Sequence, residues 1–305
     1  MKSRPLLIGA VVGIFVLSVI AVGYVGSHLT GKPDRLLTGV QYNRTWSEGQ
    51  NYSRNGNYLA AIREYDKMVA LRPNKVDGYT YRAIAEAQAG LYDRAVEDNT
   101  TGIELLTQRQ GIEEQGNAAD VLGMPYQDKL ATVSEVQARL YHNRGYVYAR
   151  RGEFERAVRD FKQAVALKPD APVYHSSLSD LYQHMGQYGQ DVENWKIATV
   201  SAPGDPASWT NYGWSLYCLG NLPEAMEANR HAAQMSVVSA TARYNLGLLY
   251  SVEDQWAQAE PLYREALAIN NTDKRERALG RVRDAMRMHP RSQALRKAEA
   301  LLSAS

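Results

Sequence analysis

Apolar residues in the central stretch 138–171 recur at helical spacing. Tyr141, Gly145 and Tyr148 lie four and three residues apart, so they share one face of a helix. Beyond a break at Gly152, the residues Phe154, Ala157, Phe161, Ala164 and Leu167 mark the facing stripe of a second helix, and Pro169 stops it. The pattern predicts two short amphipathic helices joined by a tight turn. Gly145 and Ala157 have almost no side chain and let the two backbones approach, while the aromatic residues fill the wider parts of the contact. One such hairpin leaves a face of each helix uncovered. It needs neighbours on both sides.

The neighbours are visible as a 34-residue frame. Steps of 34 from residue 138 start new segments at 172, 206 and 240, and the turn residue recurs as Gly152, Gly186 and Gly220, with Asp254 substituting in the last. Two residues later the frame holds Phe154, Tyr188, Leu222 and Trp256. The small residue of the second helix recurs as Ala157, Ala225 and Ala259, with Asp191 as a departure. Backwards, the frame recurs from 42 and 76 with Gly56, Tyr58 and Ala61, then Gly90, Tyr92 and Ala95. Asp205-Pro206 and Pro172 fall where first helices should begin, an aspartate to cap free N–H groups and a proline where a missing N–H costs nothing. Six hairpins in one register resemble the tetratricopeptide repeat (TPR). The resemblance implies an all-α fold, a right-handed superhelical solenoid, with the repeats at 42–109 (units one and two) and 138–273 (units three to six).

Outside the frame, residues 6–26 are 21 consecutive residues without a charge, preceded by Lys2 and Arg4. At 1.5 Å per residue such a helix spans the roughly 30 Å hydrocarbon layer, so 1–27 is expected to be an N-terminal transmembrane anchor. A cleaved signal peptide is the competing reading, with small residues around Ala21 and Gly23. A short basic tail held in the cytoplasm would put the repeats outside it, in the periplasm of a bacterium. Residues 28–41, with Gly31 and Pro33, are expected to be a linker. Residues 110–137 interrupt the frame and are expected to elongate one hairpin. Residues 274–305 carry nine Lys or Arg against three Asp or Glu, +6, and form basic capping helices. With Lys2 and Arg4 adding +2 and the whole chain at +2, residues 5–273 carry −6. No aromatic residues are interleaved with the C-terminal charges, so nucleic acid is not an expected partner.

Catalytic constellations are absent from the sequence: there is no GxxxxGK[ST], GxGxxG, HExxH or CxxC, and the six histidines are scattered without metal-ligand spacing. Neither an enzyme activity nor a cofactor or metal is expected, although a catalytic group inside 110–137, or a purely oligomerising spacer, stays open. The single cysteine, Cys218, cannot form an internal disulfide. The resemblance implies a concave groove lined by the first helices that binds an extended peptide. The sixth place of the frame faces it and holds Ser47, Tyr81, Asn143, Ser177, Asn211 and Asn245. An asparagine amide offers both donor and acceptor, so Asn143, Asn211 and Asn245 are suited to clamp peptide backbone. Trp46, Tyr146, Trp214, Tyr217 and Tyr244 would add aromatic contact area, and Arg54, Arg139 and Arg150 positive charge. The expected partner is therefore a peptide segment of another protein, held by an adaptor tethered to a membrane through 6–26.

Overall fold

The computed structural model describes residues 33–109, 133–235, 239–269 and 271–304. Among them are fourteen α-helices and no strand. The predicted span 6–26 and the bulk of the predicted elongation, 110–132, lie outside the described residues. Among the described residues no helix is long and apolar enough to cross a membrane. Two compact units divide the chain between Val147 and Tyr148.

The first unit contains α1 (Pro33–Arg54), α2 (Tyr58–Leu71), α3 (Val76–Gln88), α4 (Tyr92–Arg109) and most of α5 (Val133–Arg150). Helix α1 begins at Pro33, inside the stretch predicted as linker. Proline at a first helical position followed by an acidic residue, Asp34, is a helix start, and the chain uses it as one. Along α2 the residues Ala61, Ile62, Tyr65 and Met68 are buried and pack with Tyr42 of α1 and Ala85 of α3. Gly49 of α1 lies flat against the ring of Tyr65, and a methyl group there would collide with it. An ionic lattice ties α3 to its neighbours. Arg82 reaches Asp98 of α4 through Nε and Nη2 at 2.6 and 2.7 Å and Asp66 of α2 at 2.7 Å, while Arg94 lies 2.8 Å from Glu86.

The second unit continues with α6 (Phe154–Leu167), α7 (Pro172–His184), α8 (Tyr188–Ser201), α9 (Pro206–Leu219), α10 (Leu222–Met235), α11 (Ala240–Val252), α12 (Trp256–Ala268), α13 (Thr272–Met288) and α14 (Gln293–Ser303). Successive helices from α6 to α12 pack on one another, α11 also touches α9, α13 and α14, and α14 packs on α12 and α13. Its core runs through small and aromatic positions: Ala259, Tyr263 and Ala266 of α12 meet Tyr244 and Leu248 of α11 and Leu295 and Ala298 of α14.

Each of the six turns inside the repeat frame closes in the same way. Gly56, Gly90, Gly152, Gly186 and Gly220 have φ between 69° and 90°, and Asp254 takes the sixth such place with φ 61°. The N–H of the following residue returns to a carbonyl five residues back, as in Asn57 to Tyr52 at 2.9 Å and Gln255 to Tyr250 at 2.8 Å. Asp254 accepts a left-handed backbone because its carboxylate is used elsewhere. It accepts from Ala294 N at 2.7 Å and Ser292 Oγ at 3.1 Å, which caps α14.

Candidate functional site

The sixth place of the frame lies mid-way along each first helix, one turn from the residue that meets the second helix. In the first unit, Ser47 is exposed and Tyr81 half-buried, stacked on Tyr65 with centroids 5.8 Å apart. Trp46 is half-buried against the α1–α3 core, 6.3 Å from Tyr81, and its Nε1 is buried with no acceptor. Asp77 is buried beneath Tyr42, whose hydroxyl donates to its carboxylate. Arg54 is exposed in the last turn of α1. On α5, Asn143 and Arg139 are half-buried, with Arg139 Nε shielded from solvent and without an acceptor, while Tyr146 is 40% exposed. Arg150, at the end of α5, is exposed.

In the second unit, Ser177 of α7 and Asn211 of α9 are half-buried at the equivalent place, and Asn211 lends its backbone carbonyl to Ser215 Oγ at 3.1 Å. Trp214 is half-buried next to Tyr217, centroids 5.3 Å apart. Tyr244 and Asn245 depart from the expectation of an open groove. Each is 3% exposed. Tyr244 belongs to the core with Tyr263, and burial raises its hydroxyl pKa. Asn245 is covered by α13, whose Arg281 donates from Nη1 to Asn245 Oδ1 at 2.6 Å.

Arg281 is the residue the sequence pattern did not flag. It was expected in a solvated cap, yet its guanidinium lies 3.6 Å over the Trp214 ring and burial lowers its pKa to about 10, which leaves it charged at neutral pH. A signal for it exists in the frame. The eighth place holds Gly49, Ala83, Gly145, Ser179, Gly213 and Gly247, all small, and continuing the count into α13 meets Arg281. A long cation where every first helix keeps a small residue marks α13 as a helix of another kind.

Sequence profiles of the tetratricopeptide repeat match residues 47–99, 138–171 and 239–272. The chain carries tetratricopeptide repeats. Two solved structures share the TPR architecture: the C-terminal part of a TPR repeat-containing protein from Cytophaga hutchinsonii, TM-score 0.55 and 13% identity over 85% of this chain and 96% of that one, and a tetratricopeptide repeat protein from Parabacteroides merdae, TM-score 0.50 and 12% identity over 86% and 99%. At such identities the likeness is one of fold. The heat-shock protein cognate (HSC) co-chaperone sgt12 of Aspergillus fumigatus is 23% identical over 154 residues, 50% of this chain and 44% of that protein, so the match spans less than half of that relative's length. Among the described residues of these repeats, no three His, Cys, Asp or Glu side chains gather as metal ligands would.

Proposed function

We propose that this TPR chain is a membrane-tethered adaptor that holds an extended peptide segment of a partner protein along its first helices. The observation that carries the reading is that each unit, taken by itself, keeps a half-buried amide at the same register place with an aromatic residue three positions on: Asn143 with Tyr146 in the first and Asn211 with Trp214 in the second. A half-buried amide loses little on further desolvation and gains a donor and an acceptor for peptide backbone. Trp46, Tyr81, Arg54, Arg139 and Arg150 extend the contact surface, whereas Tyr244 and Asn245 act from beneath it. Residues 6–26 supply the anchor, and the basic tail before them favours repeats outside the cytoplasm. A match to a protein described as a co-chaperone suits a chain that works through another protein.

The test is an array of decapeptides probed with the full chain in mild detergent. Asn143→Ala with Asn211→Ala is expected to weaken captured peptides at least tenfold, since each amide supplies hydrogen bonds worth about 1 kcal/mol. Unchanged capture with an unchanged helix signal overturns the groove. The anchor is tested by alkaline carbonate washing of native membranes, where release of the intact chain overturns it. Protease added to intact cells tests the orientation, and repeats that stay protected overturn an extracytoplasmic location.

A further inference from the structure

We propose that the exposed faces of α8 and α10 form a self-association surface, on which a second copy of this chain docks about a two-fold axis that crosses both helices. Each of these second helices packs on α9 and joins it through a short turn, so each runs antiparallel to α9 and the two run parallel to each other. The inference does not depend on the peptide-binding reading above, which concerns the first helices.

Three observations carry it. The first is charge. The outer stripe of α8 holds Glu193 and Lys196, and that of α10 holds Glu227 and Arg230 at the same places of the frame. All four are exposed, and among the described residues none makes an ion pair; Arg230 only donates to Tyr250 Oη at 3.4 Å. The surface therefore carries an acidic band and, about 4.5 Å further along both helices, a basic band. The flanking second helices break the pattern, with Arg159 and Lys162 on α6 and Pro261 and Arg264 on α12. An axis across the helices, midway between the bands, sets α8 against α8 and α10 against α10 in antiparallel pairs and brings every acid opposite a base of the other copy. An axis along the helices would set acid on acid. The second observation is apolar exposure. Ile197 and Val200 lie on the same stripe of α8, 47% and 75% exposed, beside a hollow of about 570 Å³ between α8 and α10 with Trp209 and Tyr212 of α9 at its base. The third is fit. Rotation about the proposed axis exchanges residues equally far from the midpoint of Glu193 and Lys196, so Val200 meets Gly189 of the second copy. Gly189 is exposed, and a methyl group built on it meets no atom within 4 Å, so the valine enters open space.

Two 14-residue helices, each about 21 Å long and about 10 Å across, offer roughly 400 Å² per copy and roughly 800 Å² in all. That is well short of a permanent dimer, so the pair is reversible, with a dissociation constant on the order of 10–100 µM. The test is energy transfer between two pools of the full chain in mild detergent with micelles in excess, one pool carrying a donor fluorophore at its C-terminus and the other an acceptor. The parent is expected to show transfer that rises with concentration and weakens as salt is raised from about 50 to about 300 mM. The decisive variant exchanges the two bands at constant net charge: Glu193→Lys, Lys196→Glu, Glu227→Arg and Arg230→Glu in one chain. About the proposed axis its acids still face bases, so it pairs with itself as the parent does, whereas parent mixed with variant sets like charges opposite and should bind at least tenfold more weakly. Gly189→Phe in the parent should weaken self-association at least fivefold with an unchanged helix signal. Parent and band-exchanged chains that mix as tightly as each pairs with itself, or more tightly, overturn the proposal, since the contact would then be unspecific or built on another axis. A parent that shows no transfer up to about 300 µM overturns it too, as does a Gly189→Phe chain that associates like the parent; each of these outcomes leaves the adaptor reading standing.

Discussion

Replacing Gly213 by alanine should destabilise the second unit by about 1–5 kcal/mol. Gly213 sits on the face of α9 that meets α10, and a methyl group built on it collides with the side-chain amide of Asn229 and lies 3.1 Å from the carbonyl oxygen of Ala225. Asn229 is fully buried, and its Nδ2 donates to that same carbonyl at 2.8 Å. The methyl group therefore displaces the amide, overpacks a backbone contact that cannot swing away, and breaks a buried hydrogen bond. Overpacking costs about 1–3 kcal/mol and an orphaned buried amide about 1–3 kcal/mol, against a gain of about 1 kcal/mol from alanine's better helix propensity. Four of the five tryptophans, Trp195, Trp209, Trp214 and Trp256, belong to this unit, so urea unfolding followed by tryptophan fluorescence reports chiefly on it. Asn229→Ala in the Gly213→Ala background removes the colliding amide and should return at least 1 kcal/mol of the loss, a coupling that a double-mutant cycle isolates. A Gly213→Ala chain as stable as the parent, or two changes whose effects simply add, would refute the close approach of α9 and α10.

Three further expectations follow from single sites. Burial raises the carboxyl of Asp77 to about 7, and burial followed by the nearby Asp98 raises that of Glu86, so the folded first unit holds protons that the unfolded chain releases near pH 4. Its stability should therefore be full below about pH 4 as far as these groups are concerned and fall as pH rises to about 7; Asp77→Asn, which keeps an acceptor for Tyr42, should flatten that fall in urea titrations by circular dichroism, and an unaltered slope contradicts it. Burial pushes the Cys218 thiol up to about 11, so its labelling by a disulfide reagent at pH 8 should run roughly a hundredfold slower than that of a free thiol, with a rate near the free value as the contrary result. Asp254→Gly relieves a left-handed backbone by about 1 kcal/mol but removes two hydrogen bonds at the start of α14, for a net loss of about 1 kcal/mol in thermal unfolding; a gain in stability would show that the carboxylate does not hold the cap.

The parts of the fold that were legible in the sequence are those that repeat. A turn that demands positive φ selects glycine, so Gly56, Gly90, Gly152, Gly186 and Gly220 announced five turns and set the frame that found the sixth at Asp254. The alternation of apolar stripes gave the hairpins because burial at three- and four-residue spacing is a local property. Helix α1 was placed too late because Pro33 serves equally as a linker residue and as the first residue of a helix. In the candidate site, the sequence located the face of each first helix but not its exposure. Asn245 occupies the same register place as Asn143 and Asn211, and Tyr244 that of Trp46, and what covers Asn245 is α13, a helix outside the repeat. Arg281 stands out at the eighth place of the frame, but its partners were illegible: Trp214 and Asn245 lie 67 and 36 residues away on two different helices, at intervals that no 34-residue period predicts.

Asp191 shows how the stack tolerates a departure from its own pattern. A carboxylate stands where Ala157, Ala225 and Ala259 keep the second helix close to the first, and it is fully buried. Its Oδ2 accepts from Gln183 Nε2 of α7 at 2.8 Å and from Ser215 Oγ of α9 at 2.7 Å, so one residue of α8 ties both neighbouring helices. One turn further along α8, Asn194 accepts from His175 Nδ1 at 2.8 Å and donates to the His175 carbonyl at 3.0 Å, and Trp195 Nε1 donates to Ser179 at 2.9 Å. Apolar burial alone fixes register weakly here, because small and aromatic residues recur along each helix and a slide of one turn would still bury them. The polar pairs do not survive such a slide: Asp191, Asn194 and the Trp195 indole would each be left buried without a partner, at about 1–3 kcal/mol apiece. The departure from a small residue is therefore compensated by register, with Asp191, Asn194 and Trp195 holding α8 at one height between α7 and α9, and with it the height at which Ser177 and Asn211 stand on adjacent first helices.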